Sequence, residues 1–361
     1  MNRERGMADK AARPSRTNVL LILTSLARSS GGGISFATGL AQSLAAGTRL
    51  TVVLPRPSDA YLPASIGDVR MLEVRPLSGF RRIIRDFLMA QRWATNCSAD
   101  VVVLPHEWGL PLRGVNLVNV VQNVYFLKPP RLQRGWAKAL LMFGVTRLTA
   151  PLASTTVAVS DFAAARWRES TGRIAEVAHQ GVDPRFRLAA TPKKSNLIVL
   201  VTGPHQYKRP DLAAEVAHRL WEHDNGLRTV VVGLPVDRRA HWECHETLEP
   251  DVLASLFGEA EVVAITSELE SFGLPAFEAR SAGARVVVVA GTAMDEMLET
   301  DQGVWPAAPT ADSFVRQIIA ALGSEPPPPV GRLYEWASYA EDWITLVEMA
   351  GDSQPGGSGS G

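Results

Sequence analysis

Between Ser267 and Gly283 the chain reads SELESFGLPAFEARSAG, in which Glu270 and Glu278 flank a Phe-Gly-Leu-Pro turn with seven residues between them. Pro275 suits the first turn of a helix, where its missing N–H leaves no bond unmade. The amides of Phe272, Gly273 and Leu274 then face outward from a helix N-terminus, an arrangement matched to a phosphate. Gly273 lets the chain approach a ligand closely. Glu278 falls one turn into the helix and Glu270 just before it, so both can address one small region. Carboxylates accept strongly from hydroxyls. The chemistry that fits is a diphosphate with hydroxyl-rich groups at both ends, as in a sugar nucleotide. The alternative is that Glu278 caps its helix and Glu270 is merely exposed.

The elements that must hold this turn follow a regular order. NVLLIL (18–23), LTVVLP, DVRMLEV, DVVVLP, VNLVNVVQ and STTVAVS read as strands, alternating with helices through ISFATGLAQSLAAG, from Arg81 to Trp93, near 134–149 and from Asp161. GVDPRFRLAATPKKSN (181–196) breaks the rhythm as a linker. The pattern then resumes with LIVLVTG, a helix over 210–223, RTVVVG, a helix over 250–257, EVVAIT, a helix over 275–283 and RVVVVA. Unbroken Val/Ile/Leu strands between helices predict parallel sheets covered on both faces. Ligands of such sheets bind in the crevice at the strand carboxyl ends, and the quoted turn directly follows EVVAIT.

The 361 residues exceed the roughly 250–300 that one core accommodates, so two domains are expected. Lys plus Arg and Asp plus Glu both total 37, which argues against nucleic-acid binding. The charge is divided, however. Residues 1–185 hold 24 basic against 12 acidic groups, and the remainder 13 against 25. No acid occurs from Trp108 to Ser160, where Arg113, Lys128, Arg131, Arg134, Lys138 and Arg147 lie. Such a split suggests halves with different partners, or halves that attract each other across a cleft. Cys97 and Cys244 show no metal spacing, and the start has no apolar signal core. No apolar run approaches the roughly 18 residues of a membrane span. A reduced, cytoplasmic setting is expected.

The quoted turn resembles the signature of retaining glycosyltransferases of family 4, which have the GT-B fold: glutamate, a small residue, Phe-Gly-Leu-Pro, two residues, glutamate, then a small-residue helix. The resemblance runs from about Thr17 to Met349. SGGGISFATGLAQSLA is similar to the family's glycine loop, VAVSDFAAARW and HQGVDPRF to the segments before the interdomain linker, and YEWASYAEDW to a terminal helix that crosses back onto the first domain. It implies an α/β chain of two Rossmann-like domains facing across a cleft. A tail over 1–16 precedes an acceptor domain over 17–185, against which 331–350 packs. A donor domain spans 190–325, and a flexible tail 351–361.

Carried over by residue, the resemblance implies that Glu278 holds the ribose hydroxyls and Glu270 addresses the donor sugar. The amides of Phe272, Gly273 and Leu274 would contact sugar and phosphate. Lys208 in GPHQYKRPDL, after Gly203, would neutralise the diphosphate with Arg209 beside it. The family often has arginine directly after that glycine, where this chain has Pro204; either one cation is missing or Arg209 replaces it. His106 in VVVLPHEWG would contact the donor sugar or the reaction centre, with Glu107 tuning its protonation if the two touch. Gln122 and Asn123 would read the acceptor. His179 and Gln180 stand where the family usually has Asn, and no role is assigned to them.

Gly32 and Gly33 read as part of a loop closing over the diphosphate. A dinucleotide fingerprint beginning at Gly31 would need a small residue where Phe36 stands, and Arg56 replaces the acidic ribose ligand of NAD enzymes. The expected activity is therefore retaining, metal-independent transfer of a hexose from a nucleoside diphosphate sugar, GDP-mannose or a UDP-hexose, in glycan or polysaccharide biosynthesis. No further cofactor is expected. The basic segments FRRIIRDFLMAQRW and RLQRGWAKALLMFG suit an anionic membrane surface and a lipid-linked acceptor, with a saccharide acceptor as the other case. The competing readings are a GT-B sugar-nucleotide epimerase or phosphorylase, and a non-catalytic sugar-nucleotide-binding scaffold subunit.

Overall fold

The computed structural model describes residues 16–26, 31–57, 66, 69–128, 136–188, 193, 196–235, 240–297, 299 and 301–353. Most of both expected tails, together with Arg131 and Arg134, lies outside the described residues.

In chain order the first half comprises β1 (Asn18–Ile22), α1 (Gly31–Gly47), β2 (Arg49–Pro55), β3 (Arg70–Val74), α2 (Gly79–Asn96), β4 (Val101–Leu104), β5 (Asn116–Val121), α3 (Trp136–Thr149), β6 (Thr155–Ala158), α4 (Asp161–Thr171), β7 (Glu176–Val177) and α5 (Pro184–Leu188). The second comprises β8 (Leu197–Val201), α6 (Pro210–His223), β9 (Arg228–Val232), β10 (Glu243–His245), α7 (Pro250–Glu259), β11 (Val262–Ile265), α8 (Leu274–Ser281), β12 (Arg285–Val289), β13 (Val304–Ala307), α9 (Ala311–Leu322) and α10 (Trp336–Asp352). One sheet has seven strands in the order β3-β2-β1-β4-β5-β6-β7, the other six in the order β10-β9-β8-β11-β12-β13. Every named pair is parallel.

The physical cause is the run of aliphatic residues in each central strand. Both faces of β1, β4, β8, β11 and β12 are buried, which only a sheet sandwiched between helices allows. The strand order reverses at β1/β4 in the first sheet and at β8/β11 in the second. Segments leaving the carboxyl ends of these four strands therefore border the two switch points, where α/β sheets bind ligands. Thr24 follows β1, His106 follows β4, Lys208 follows β8 and the glutamate turn follows β11.

The chain crosses between the sheets twice. Near the first crossing Val182 donates its amide to the Tyr334 carbonyl at 2.7 Å and forms a parallel bridge with Glu335, which lies on the second. Arg187 pairs with Glu335 at 2.5 Å. After the second crossing α10 packs on α1: Trp336 and Trp343 meet Phe36 edge-on at 5.7 and 6.2 Å, and the Trp343 indole donates to the His179 carbonyl at 2.8 Å. The terminal helix thus returns to the first sheet, as the resemblance implied.

Candidate active site

The glutamate turn is built by a left-handed residue. Gly273 caps α8 with φ +92°, and a Cβ there would lie 2.4 Å from Met294 Cγ, so only glycine fits on both counts. Pro275 stands in the first helical turn, as its chemistry requires. Phe272 turns inward and stacks on Phe277 at 4.2 Å, which fixes the turn from below. Among the described residues, the amides of Phe272, Gly273 and Leu274 have no acceptor. They open α8 at its N-terminus, with Phe272 and Gly273 buried and Leu274 partly buried.

Lys208 meets this turn from the β8 side. Its Nζ lies 2.5 Å from Glu270 Oε1, with both side chains largely covered. Its carbonyl accepts from the hydroxyls of Thr202 at 2.7 Å and Thr266 at 2.9 Å, one beyond each of the switch-point strands. The backbone under the ammonium is therefore fixed by the sheet itself. An ammonium has three donors, so the pair with Glu270 leaves two for phosphate oxygens. Gly203 lies against the Lys208 stem, 3.4 Å from where a Cβ would sit. Arg209 differs: Asp211 and Glu268 both hold its guanidinium, hydrogen bonding to Asp211 foremost, and raise its pKa. Arg209 is already matched by two carboxylates and is less free than Lys208 to serve a diphosphate.

Glu278 is buried on α8, and among the described residues its carboxyl has no hydrogen-bond partner. Burial, and secondarily Asp183 nearby, raise its pKa to about 8, with Arg185 opposing. Hydroxyl donors favour the ionised form, so a ligand bound through them should release a proton here. Nucleoside diphosphate affinity, measured by titration calorimetry with GDP and UDP, is expected to rise with pH up to about 8 by more than the nucleotide's own titration gives. The Glu278→Gln variant should lack this additional slope. The folded-state value lies above the unfolded one, so the native carboxyl also makes stability fall as pH climbs toward about 8.

From the first sheet, His106 is half-buried after β4, and its Nε2 lies 2.9 Å from Arg82 Nη1. Burial first and Arg82 second push its pKa well below the usual imidazole value. The buried Glu107 carboxyl instead accepts from the Asn123 amide at 2.7 Å, and its pKa is raised to about 7, chiefly by burial. The histidine's charged neighbour is thus Arg82. Gln122 lends its carbonyl to the Ser271 hydroxyl at 2.5 Å, and the Asn123 side chain accepts from the Tyr125 amide. Both lie at the domain boundary, with Asn123 engaged as a local cap.

Gly32 and Gly33 require a correction. They belong to the first turn of α1 rather than to a loop. Phe36, Leu40 and Leu44 commit this segment to a helix by packing in the core, and the helix extends back over the glycines, where amides need no partner within it.

Among the described residues, hydrogen bonds join the domains at the turn. Ser271 donates to Gln122, Ser160 donates to the Ser271 carbonyl at 2.5 Å, and Glu296 accepts from the Asp161 and Phe162 amides at 3.2 and 2.6 Å, capping α4 from across the cleft. His179, left without a role by the sequence, sits 3.9 Å from Glu296 and beside Phe272. The sequence did not single out Thr24, Asp86, Asp183, Ser271 or Glu296. One signal was available for the group behind His106: Asp86 is the single acid of the basic helix, four residues after Arg82.

Residues 185–340 match the sequence model of the family described as glycosyl transferases group 1. No curated protein matches the chain. Among solved structures, the chain is similar to sucrose-phosphate synthase from Thermosynechococcus elongatus, with 13% identity, a TM-score of 0.66, and 93% of this chain and 96% of that one covered. It is similar to WaaG, a glycosyltransferase involved in lipopolysaccharide biosynthesis, at 17% identity and TM-score 0.62, covering 94% and 100%. HepE of Anabaena, solved with UDP and glucose, aligns at 14% identity and TM-score 0.60, covering 92% and 95%. At these identities the likeness speaks for the fold. Two facing parallel sheets and a returning terminal helix make this a chain of GT-B fold, of which residues 185–340 match the glycosyl transferases group 1 family.

Proposed function

We propose that this chain transfers a hexose, with retention, from a nucleoside diphosphate sugar to an acceptor hydroxyl. The observation that carries the reading is the placement of Lys208, sheet-anchored and 2.5 Å from Glu270, the residue that leads into the turn whose three amides have no acceptor among the described residues. In the step, the bond between the anomeric carbon and the diphosphate oxygen breaks while the acceptor oxygen bonds to that carbon on the same face. The acceptor proton passes to a phosphate oxygen, and nucleoside diphosphate leaves. The protein's part is positioning and charge stabilisation. Lys208 and the amides of Phe272, Gly273 and Leu274 meet the growing charge, Glu278 holds the ribose, and Glu270 and His106 meet the sugar. The solved neighbour with UDP and glucose supports a UDP-hexose among the donors. The test is nucleoside diphosphate release from GDP-mannose and UDP-hexoses, with and without added acceptors. Saturable binding of a donor with no release under any acceptor would favour a scaffold role.

The acceptor side is proposed to rest on an anionic membrane. Phe80, Ile84 and Leu88 form one exposed stripe along α2, with Leu88 74% exposed, and Leu140, Leu141 and Leu148 are exposed on α3. Both helices pack on the same face of the first sheet. Exposed Arg81, Arg92, Arg113 and Arg147 lie on or beside them. Apolar side chains fringed by cations fit the boundary between headgroups and acyl chains. Among the described residues no helix is long and apolar enough to cross a membrane. In flotation with phosphatidylglycerol-containing vesicles, the protein should rise with the lipid. Phe80→Ser combined with Leu88→Ser should reduce the bound fraction several-fold, and equal behaviour with neutral vesicles would contradict the proposal.

A further inference from the structure

Beneath His106 lies a chain of polar contacts that no part of the proposed step explains. Asp86 on α2 is fully buried. Its carboxylate accepts from the Thr24 hydroxyl at 2.5 Å and from Arg85 at 2.9 and 3.1 Å. Arg82, one turn earlier, stands farther from Asp86, at 3.6 Å, than from His106 Nε2, at 2.9 Å. Thr24 and Arg85 already serve the carboxylate, so the shorter of Arg82's contacts is the one to the imidazole.

A guanidinium has only donors. The His106 Nε2 facing Arg82 therefore presents its lone pair, and a neutral ring then carries its proton on Nδ1. The ring plane is fixed as well. His106 stacks on Trp108 with centroids 5.1 Å apart and planes 14° apart, and Trp108 stacks in turn on Phe87 at 5.6 Å and 14°. Phe87 is the residue after Asp86, so one helix sets both the orientation and the protonated edge of the imidazole. Among the described residues, His106 Nδ1 has no hydrogen-bond partner. The other charged groups around the ring are Asp86 and Arg85 behind Arg82, and Glu107, whose carboxyl accepts from the Asn123 amide.

We infer that Arg82 is a positioning residue that holds His106 in the Nδ1-protonated form, so that the histidine meets an oxygen of the bound sugar as a hydrogen-bond donor. The inference rests on the reading of His106 as facing the donor sugar. It assigns the histidine no proton transfer: Nε2 is occupied by Arg82, and the ring carries no charge to give up.

The full chain, labelled with nitrogen-15 histidine, allows a direct test by long-range proton–nitrogen correlation without any ligand. His106→Gln identifies which of the seven histidine patterns belongs to this ring. The expected result is a protonated Nδ1 and a bare Nε2, unchanged between pH 8 and pH 6. In Arg82→Gln the pattern should shift toward the Nε2-protonated form and the ring should titrate at higher pH, whereas Arg82→Lys should keep the native pattern. A wild-type ring protonated at Nε2, an imidazolium, or an Arg82→Gln spectrum identical to wild type overturns the assignment.

Donor turnover supplies the second arm. Loss of one oriented hydrogen bond is expected to lower it about tenfold in Arg82→Gln. His106→Gln should lose at least as much, and the double variant no more than His106→Gln alone. Losses that add in full mean that Arg82 acts elsewhere and overturn the inference. If the spectra hold but His106→Gln turns over normally, the sugar contact fails while Arg82's hold on the ring stands.

Discussion

Lys208→Met is expected to lower the rate of nucleoside diphosphate release by about 10²–10³-fold, the usual loss when one preorganised charge-stabilising group is removed. The effect should fall on kcat more than on KM, because negative charge on the leaving diphosphate is larger in the transition state than in the bound donor. Two features make the variant informative. The backbone at residue 208 is held through its carbonyl by Thr202 and Thr266, whatever side chain it bears. Methionine also approximates the stem lying against Gly203 while deleting the ammonium. The melting temperature should therefore stay close to that of the native chain, and the loss can be assigned to chemistry. Steady-state release assays at saturating donor measure it. An unchanged kcat would remove Lys208 from the step and, with it, the main support for transfer.

Asp301→Ala is expected to destabilise the fold by about 3–5 kcal/mol, the range for breaking one partner of a buried ion pair. Arg280 is fully buried on α8, and its Nε donates to Asp301 at 2.8 Å. The Tyr334 hydroxyl donates to the same carboxylate at 3.1 Å, and the Gly303 amide at 2.7 Å. Arg280 also reaches the Pro328 carbonyl at 2.9 Å, so the cluster ties α8 to the segment leading into α10. Alanine leaves a cation without its counter-charge and two further donors without an acceptor. Asp301→Asn keeps the volume and part of the bonding and should cost less. Urea unfolding followed by tryptophan fluorescence reads both.

How much of this was legible depended on whether the information was contiguous. The central strands could be read because VVAIT or LIVLV can only be buried on both faces. β7, two residues long, and β13, whose VWPA includes a proline and half-exposed positions, carry no such signal. The glutamate turn could be read because Gly273, Pro275 and Glu278 lie within one short stretch and act through local geometry. Arg82 could not: its contact to His106 joins positions 24 residues apart, and in sequence it is one arginine of four in a basic helix. Glu296 capping α4 and Asp183 near Glu278 likewise arise only when separate segments meet. The glycines before α1 misled for the opposite reason. Their local freedom suggested a loop, but the packing of Phe36, Leu40 and Leu44 decided the conformation.

The paired crossings between the sheets bear on how the cleft can gape. Two strands of chain bonded side by side at Val182, Tyr334 and Glu335 cannot lengthen or slip separately. Beside them Gly181 sits so close to the Trp336 backbone that an added Cβ would come within 2.2 Å of its nitrogen. A tether of this kind permits swivelling and resists sliding.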